Sequence, residues 1–209
     1  MNSRDSFWRL ALIGSLALAP MVAACAGGPA NTEVNPTQDM MAGHYGLFIE
    51  LQSALLMGDL QSAQATAHSL GMGQMPAVAT PWVEALKSAA ERVAVASNIA
   101  DAAQSSGTLI LACGSCHAEV GASPNLRFAG GVPTGDSRAQ HMSRHMWALD
   151  QLMDGIISGD DEYWMNGAGT LADDDTMGDV GRQAVAAAGD QRAVAYGHVL
   201  AACADCHTR

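Results

Sequence analysis

The chain has 209 residues, 49% of them hydrophobic and 15% charged, with a formal net charge of −11 and a single lysine, Lys87. That much apolar material builds a packed core and excludes a disordered chain. The excess of acid excludes a nucleic-acid binder that works by neutralising phosphates, and it suits a partner with a basic docking surface, held less tightly as salt rises. Aromatic residues are 5% of the chain, Ala and Met are abundant and β-branched residues are sparse, so an all-α protein is expected.

Arg4 and Arg9 precede an apolar run from Leu10 to Val22 that is interrupted by Pro20. The run is short for a membrane span and reads as a signal peptide over residues 1–24. The segment Val22-Ala23-Ala24-Cys25 resembles the lipobox of bacterial lipoproteins. That resemblance implies cleavage before Cys25, a lipid on its thiol, and a periplasmic chain anchored to a bacterial membrane. Ala26, in the place where Asp marks inner-membrane retention, leans toward the outer membrane by the same resemblance. The chain has five cysteines, and an odd number in a secreted protein asks for one special thiol. The alternative is an ordinary signal peptide cut near Ala24 or Ala26 with a spare cysteine. Residues 25–38, rich in Gly, Pro, Asn and Thr, read as a flexible tether ending at Thr37, a helix N-cap with Asp39 in the first turn.

An internal repeat organises the rest. A shift of 101 residues lays Met41 on Met142, His44 on His145, Leu51 on Leu152, Gly58 on Gly159, Asp59 on Asp160 and Leu70 on Leu171. A shift of 90 lays Gly107 through Cys113 on Gly197 through Cys203, so the second copy is shorter in its middle. The units are residues 39–118 and 141–209, joined by a Gly- and Pro-rich linker, 119–140. Each unit reads as four helices. The first spans about 39–57, with an inward stripe Met41, His44, Phe48, Leu51, Leu55 at 3, 4, 3, 4 spacing. Gly58 ends it and Asp59 caps a helix over about 60–70. Thr80-Pro81 opens a third helix to about Ser97, and the fourth runs from about Asn98 to His117. In the second copy the segments are about 142–158, 161–171, 176–188 and 190–207, with the stripe Met142, His145, Leu149, Leu152, Ile156. Asp173 to Asp175 read as a solvated loop.

Each unit ends in the same chemistry: Cys113-Gly-Ser-Cys116-His117 and Cys203-Ala-Asp-Cys206-His207. Two thiols three residues apart share one helical face and can each add to a vinyl group of haem. The next residue then binds the iron through its imidazole. The reading is therefore two haem c groups, with His117 and His207 as proximal ligands. A Cys/His zinc site leaves the repeat of His44 and His145 unexplained, and a thioredoxin-like pair lacks any βαβ pattern. With only Thr208 and Arg209 after His207, the second haem has no downstream ligand in this sequence.

A haem motif in the last helix resembles class II cytochrome c. That resemblance covers residues 40–118 and 141–208 and implies two tandem short four-helix bundles in which the first helix meets the opposite haem face. The inward stripe then offers His44 and His145 as distal ligands, or Met41 and Met142 one turn earlier. The alternative is an open iron face. His141, His68 and His198 have no matched partner and read as surface or packing residues, and Trp82, Trp147 and Trp164 as filler. The expected function is a membrane-tethered carrier of single electrons between redox proteins. The alternative is a haem-based gas-binding or sensor protein. A dihaem peroxidase fits poorly, because such enzymes carry their motifs early. The sequence shows no nucleotide loop and no catalytic Ser or Cys arrangement, and no metal cluster is expected outside the haem motifs.

Overall fold

Eight helices and no strand make up the described part of the chain, which in this computed structural model comprises residues 36–75, 81–122, 124 and 130–209. The leader, Cys25, the tether up to residue 35, Thr80 and linker residues 123 and 125–129 lie outside the described residues. The first copy folds as α1 (Pro36–Leu56), α2 (Leu60–Met72), α3 (Pro81–Ala94) and α4 (Ile99–Glu119). The second folds as α5 (Arg138–Ser158), α6 (Asp161–Ala172), α7 (Gly178–Ala186) and α8 (Gln191–His207). Helix α1 begins at Pro36, whose fixed φ suits a first helical position, so the last residues of the expected tether are helical.

The helix boundaries follow from local chemistry. Gly58 and Gly159 adopt φ of 71° and 70°, a left-handed turn that stops α1 and α5 at matched points. Asp59 then caps α2 by accepting from the Ser62 amide at 3.0 Å, and Asp160 caps α6 by accepting from the Glu162 amide at 2.8 Å. Asn98 caps α4 through the Asp101 amide at 2.9 Å. Helix α5 starts four residues before the expected position. Ser137 and Gln140 form a reciprocal capping box there, which supplies partners for amides the helix leaves unpaired.

Within each copy, consecutive helices pack side by side. The expected stripe is the core: Phe48, Leu51 and Leu55 of α1 and Leu149, Leu152 and Ile156 of α5 are buried. Each such side chain contributes about 1.5–3 kcal/mol by leaving water. The copies also share that core, because α4 packs along α8, α5 lies against α4, and α1 lies against α8. The α4–α8 crossing is symmetric. A Cβ at Gly107 would come within 2.0 Å of the Ala193 carbonyl, and one at Gly197 within 3.0 Å of the Ala103 carbonyl. These are matched pairs under the 90-residue shift. Glycine is required at both, since any side chain would hold the two backbones apart.

Candidate functional site

The last turns of α4 and α8 carry the two Cys-x-x-Cys-His segments. A helix turns once in 3.6 residues, so Cys113 and Cys116 share a face, as do Cys203 and Cys206. All four thiols are free. Cys113 and Cys203 pack against the core. Burial, with the neighbouring Cys116 and Cys206 adding to it, pushes each of these two thiols up to about 12, so both are neutral at pH 7. Cys116 is half-buried and Cys206 exposed.

His117 is half-buried, and its Nδ1 is buried with no hydrogen-bond partner. Burial lowers its pKa, against a smaller opposing pull from the Ile157 carbonyl. The neutral ring therefore keeps a lone pair for a metal. His207 is exposed. The first segment is seated on the other copy: a Cβ at Gly114 would lie 2.2 Å from the Ile156 carbonyl of α5. At the matched place in α8, Ala204 is buried and accommodates its methyl group. At the far end of α8, Thr208 lies against Gly58, just after α1. Both unbridged thiol pairs are followed directly by an imidazole, His117 with a buried nitrogen that lacks a partner and His207 exposed, and such a set fits a group that takes two thioether bonds and one imidazole nitrogen.

The two matched histidines meet different surroundings. His44 is half-buried, and a Cβ at Gly73 would lie 2.7 Å from its Nε2. Burial lowers its pKa. His145 is buried, and its Nε2 lies 3.0 Å from Oδ2 of Asp174, without the alignment a hydrogen bond needs. Under the 101-residue shift Asp174 falls on Gly73, so the same place beside the histidine holds a carboxylate in one copy and a bare backbone in the other. Met41 and Met142 are both half-buried.

Asp174 is the residue of this cluster that sequence reading missed, taking it for part of a solvated loop. It accepts hydrogen bonds from the Thr176 amide at 2.8 Å, the Thr176 hydroxyl at 2.6 Å and the Met177 amide at 3.0 Å. Burial alone would raise its pKa. The Thr176 hydroxyl, His145 beside it and the two backbone amides outweigh burial and hold the carboxylate well below its ordinary range. The usable signal was Asp174-x-Thr176, an Asp whose side chain folds back on the backbone two residues on. His141, read as a surface or packing residue, also belongs here: its Nδ1 is 3.4 Å from Oδ2 of Asp174, and its ring centroid is 4.3 Å from that of His145. His68 and His198 are exposed.

A groove of about 450 Å³ opens between α1 and α5, lined by Tyr45, Gln52, Leu56, Met146 and Asp150 among others. Neither Cys-x-x-Cys-His segment lines it, so it is distinct from the thiol site. Near its floor the Tyr196 hydroxyl donates to Oε1 of Gln52, joining the copies. Both oxygens of the fully buried Asp154 lack partners. Burial, reinforced by Asp150, pushes that carboxyl up to about 7.

No protein-family model, curated protein or solved structure gives a match to this chain. Among the described residues, no helix is long and apolar enough to cross a membrane.

Proposed function

We propose that the chain is a dihaem c-type cytochrome, periplasmic and lipid-anchored through Cys25, that carries single electrons between redox proteins. Cys113, Cys116 and His117 hold one haem, and Cys203, Cys206 and His207 hold the other. The observation that carries this reading is the pairing of two identical motifs, thiols free, on the last turns of two helices that cross symmetrically at Gly107 and Gly197. Haem c held there supplies a one-electron iron couple.

The chain's own residues do the rest. Neutral Cys113 and Cys203 sit against the apolar core, the low-dielectric wall that favours the less charged redox state. His117 offers an imidazole kept neutral by burial. His44 would supply the second protein ligand to the first iron, with Met41 one turn away as the alternative. In the second copy Oδ2 of Asp174 lies 3.0 Å from Nε2 of His145 and competes with iron for that ring; where the carboxylate keeps it, Met142 would be the residue of the stripe for that face. Methionine sets a higher potential than histidine, so the two units differ in potential, the first being lower. The acidic surface suits basic partners.

A pyridine haemochrome assay on protein from a host that attaches haem c should give two haems per chain, and Cys113→Ala with Cys116→Ala should give one. Colourless wild-type protein, or protein holding zinc at the Cys-x-x-Cys-His segments in place of iron, sinks the reading. A specific observation favours a second reading. The carboxylate beside His145 competes for the imidazole the second iron would need, so a ferrous form that takes up carbon monoxide at one haem would make that unit a gas-binding site.

A further inference from the structure

Where α5 begins, two imidazoles one turn apart and a carboxylate from the α6–α7 turn point at one another. We propose that His141, His145 and Asp174 form a site for a single divalent transition-metal ion of the zinc class, separate from both Cys-x-x-Cys-His segments. The inference goes beyond the haem reading and stands whether or not that reading holds.

The geometry carries it. One ligand atom from each residue lies within 4.8 Å of the others. Oδ2 of Asp174 is 3.0 Å from Nε2 of His145 and 3.4 Å from Nδ1 of His141. Donors held about 2.0–2.2 Å from a tetrahedral ion lie roughly 3.3–3.5 Å apart, so little movement is needed. His141 and His145 are spaced i, i+4 and rise from one face of α5. His145 is 7% exposed and its Nε2 has no hydrogen-bond partner, although it faces the cluster. A buried ring nitrogen without a partner is costly unless something else satisfies it, and an ion between it and Asp174 does so. The carboxylate is already fixed by Thr176 and Met177, an outer set of hydrogen bonds of the kind that orients a metal ligand. Two imidazoles and one carboxylate suit zinc, cobalt or nickel better than calcium or magnesium, which prefer all-oxygen sets. Three protein ligands leave a fourth position for water.

Arg144 bounds the site. Its Nη2 lies 3.4 Å from Nδ1 of His141, while Nη1 donates to the Gly135 carbonyl. That cation opposes a second one, and an arriving ion displaces Nη2 while Nη1 stays on Gly135. The first copy supplies an internal control. Its matched residues are Met40, His44 and Gly73, which cannot form the set. One ion per chain is therefore expected, not two.

The test titrates the full chain with Co²⁺ and reads visible absorption bands by difference, alongside Zn²⁺ calorimetry. Wild type should bind one Co²⁺ with nitrogen and oxygen ligation and no thiolate charge-transfer band. His141→Ala, at a half-exposed position that does not threaten folding, should weaken binding at least 100-fold, as should Asp174→Asn. Arg144→Ala should tighten it. His145→Ala should abolish binding while leaving any haem spectrum unchanged. Absence of binding to wild type, binding of equal strength in His141→Ala, or a thiolate band overturns the site. A haem that turns high-spin in His145→Ala also overturns it, because His145 is then an iron ligand. Protein without haem that still binds Co²⁺ at His141, His145 and Asp174 refutes the cytochrome reading and leaves this one standing.

Discussion

In the first copy Nε2 of His44 faces the bare backbone of Gly73; in the second, Nε2 of His145 faces a carboxylate, with a further histidine beside it. The helices that place these rings end at glycines with φ within a degree of each other. Across the midline the same contrast recurs. Gln52 of α1 accepts from Tyr196 of α8, whereas the matched positions are Met153 of α5 and Ser106 of α4, whose hydroxyl donates to Ala102 in its own helix. Positions that terminate helices or let backbones touch are the same in both copies, because packing leaves them few substitutes. Positions that only need to be filled have diverged, and each divergence swaps polar for apolar or large for small. The scaffold is thus duplicated while the chemistry around it is not.

Asp154 gives the largest expected difference between the copies, since its counterpart is the exposed Ser53. Burial, with Asp150 nearby, raises its pKa from 3.8 to about 7. Between those values the folded chain holds a proton that the unfolded chain releases. Stability therefore falls as pH rises, by about 1.4 kcal/mol per unit, or roughly 4 kcal/mol in all, and levels off above the folded value. Asp154→Asn should remove that slope. Denaturant unfolding should show the variant more stable than wild type at pH 8 and close to it at pH 4.5. A wild-type profile that is flat between pH 4 and 7 breaks the account.

The next effect separates the two inter-copy seats. A methyl group at Gly114 meets the Ile156 carbonyl at 2.2 Å, a backbone atom that cannot turn aside. Gly114→Ala should cost about 2–3 kcal/mol by forcing α4 away from α5. The mirror change, Ala204→Gly, loses only a buried methyl group and some helix propensity, about 1–2 kcal/mol. Equal losses in chemical denaturation would mean that α5 approaches α4 no more closely than α1 approaches α8.

Much of this was legible beforehand. The repeat, the stripe of Phe48, Leu51 and Leu55, the glycine stops and the Asp59 and Asp160 caps are local patterns, and local patterns survive in sequence. The thiol pairs were legible because the spacing itself is the chemistry. Ser137 and Gln140 were missed because their box lies at the end of a stretch whose Gly and Pro content reads as loop. Asp174 was missed for a deeper reason. Its meeting with His145 joins a turn to a helix 29 residues earlier, and no periodicity encodes that distance. The sharing of one core by α4 and α8 was hidden likewise, since Gly107 and Gly197 look like weak points of a helix until the partner backbone is seen.

The smallest effect tests whether the polar bond across the midline stabilises the assembly or merely fills space. Tyr196 and Gln52 are both buried, and Gln52 also hydrogen-bonds Asp150. Tyr196→Phe removes the donor and leaves a buried amide oxygen with one partner fewer, which should cost about 1 kcal/mol. Ser106→Ala, at the matched position, removes a hydroxyl bonded only within its own turn and should change stability by less than about 0.5 kcal/mol. Gln52→Met imports the residue that the second copy uses. Combined with Tyr196→Phe, it should recover part of either single loss, because an apolar pair of similar shape leaves nothing unsatisfied. Strictly additive losses in that double-mutant cycle would mean that the two side chains do not act on one another, and that the copies are held together at this point by shape alone.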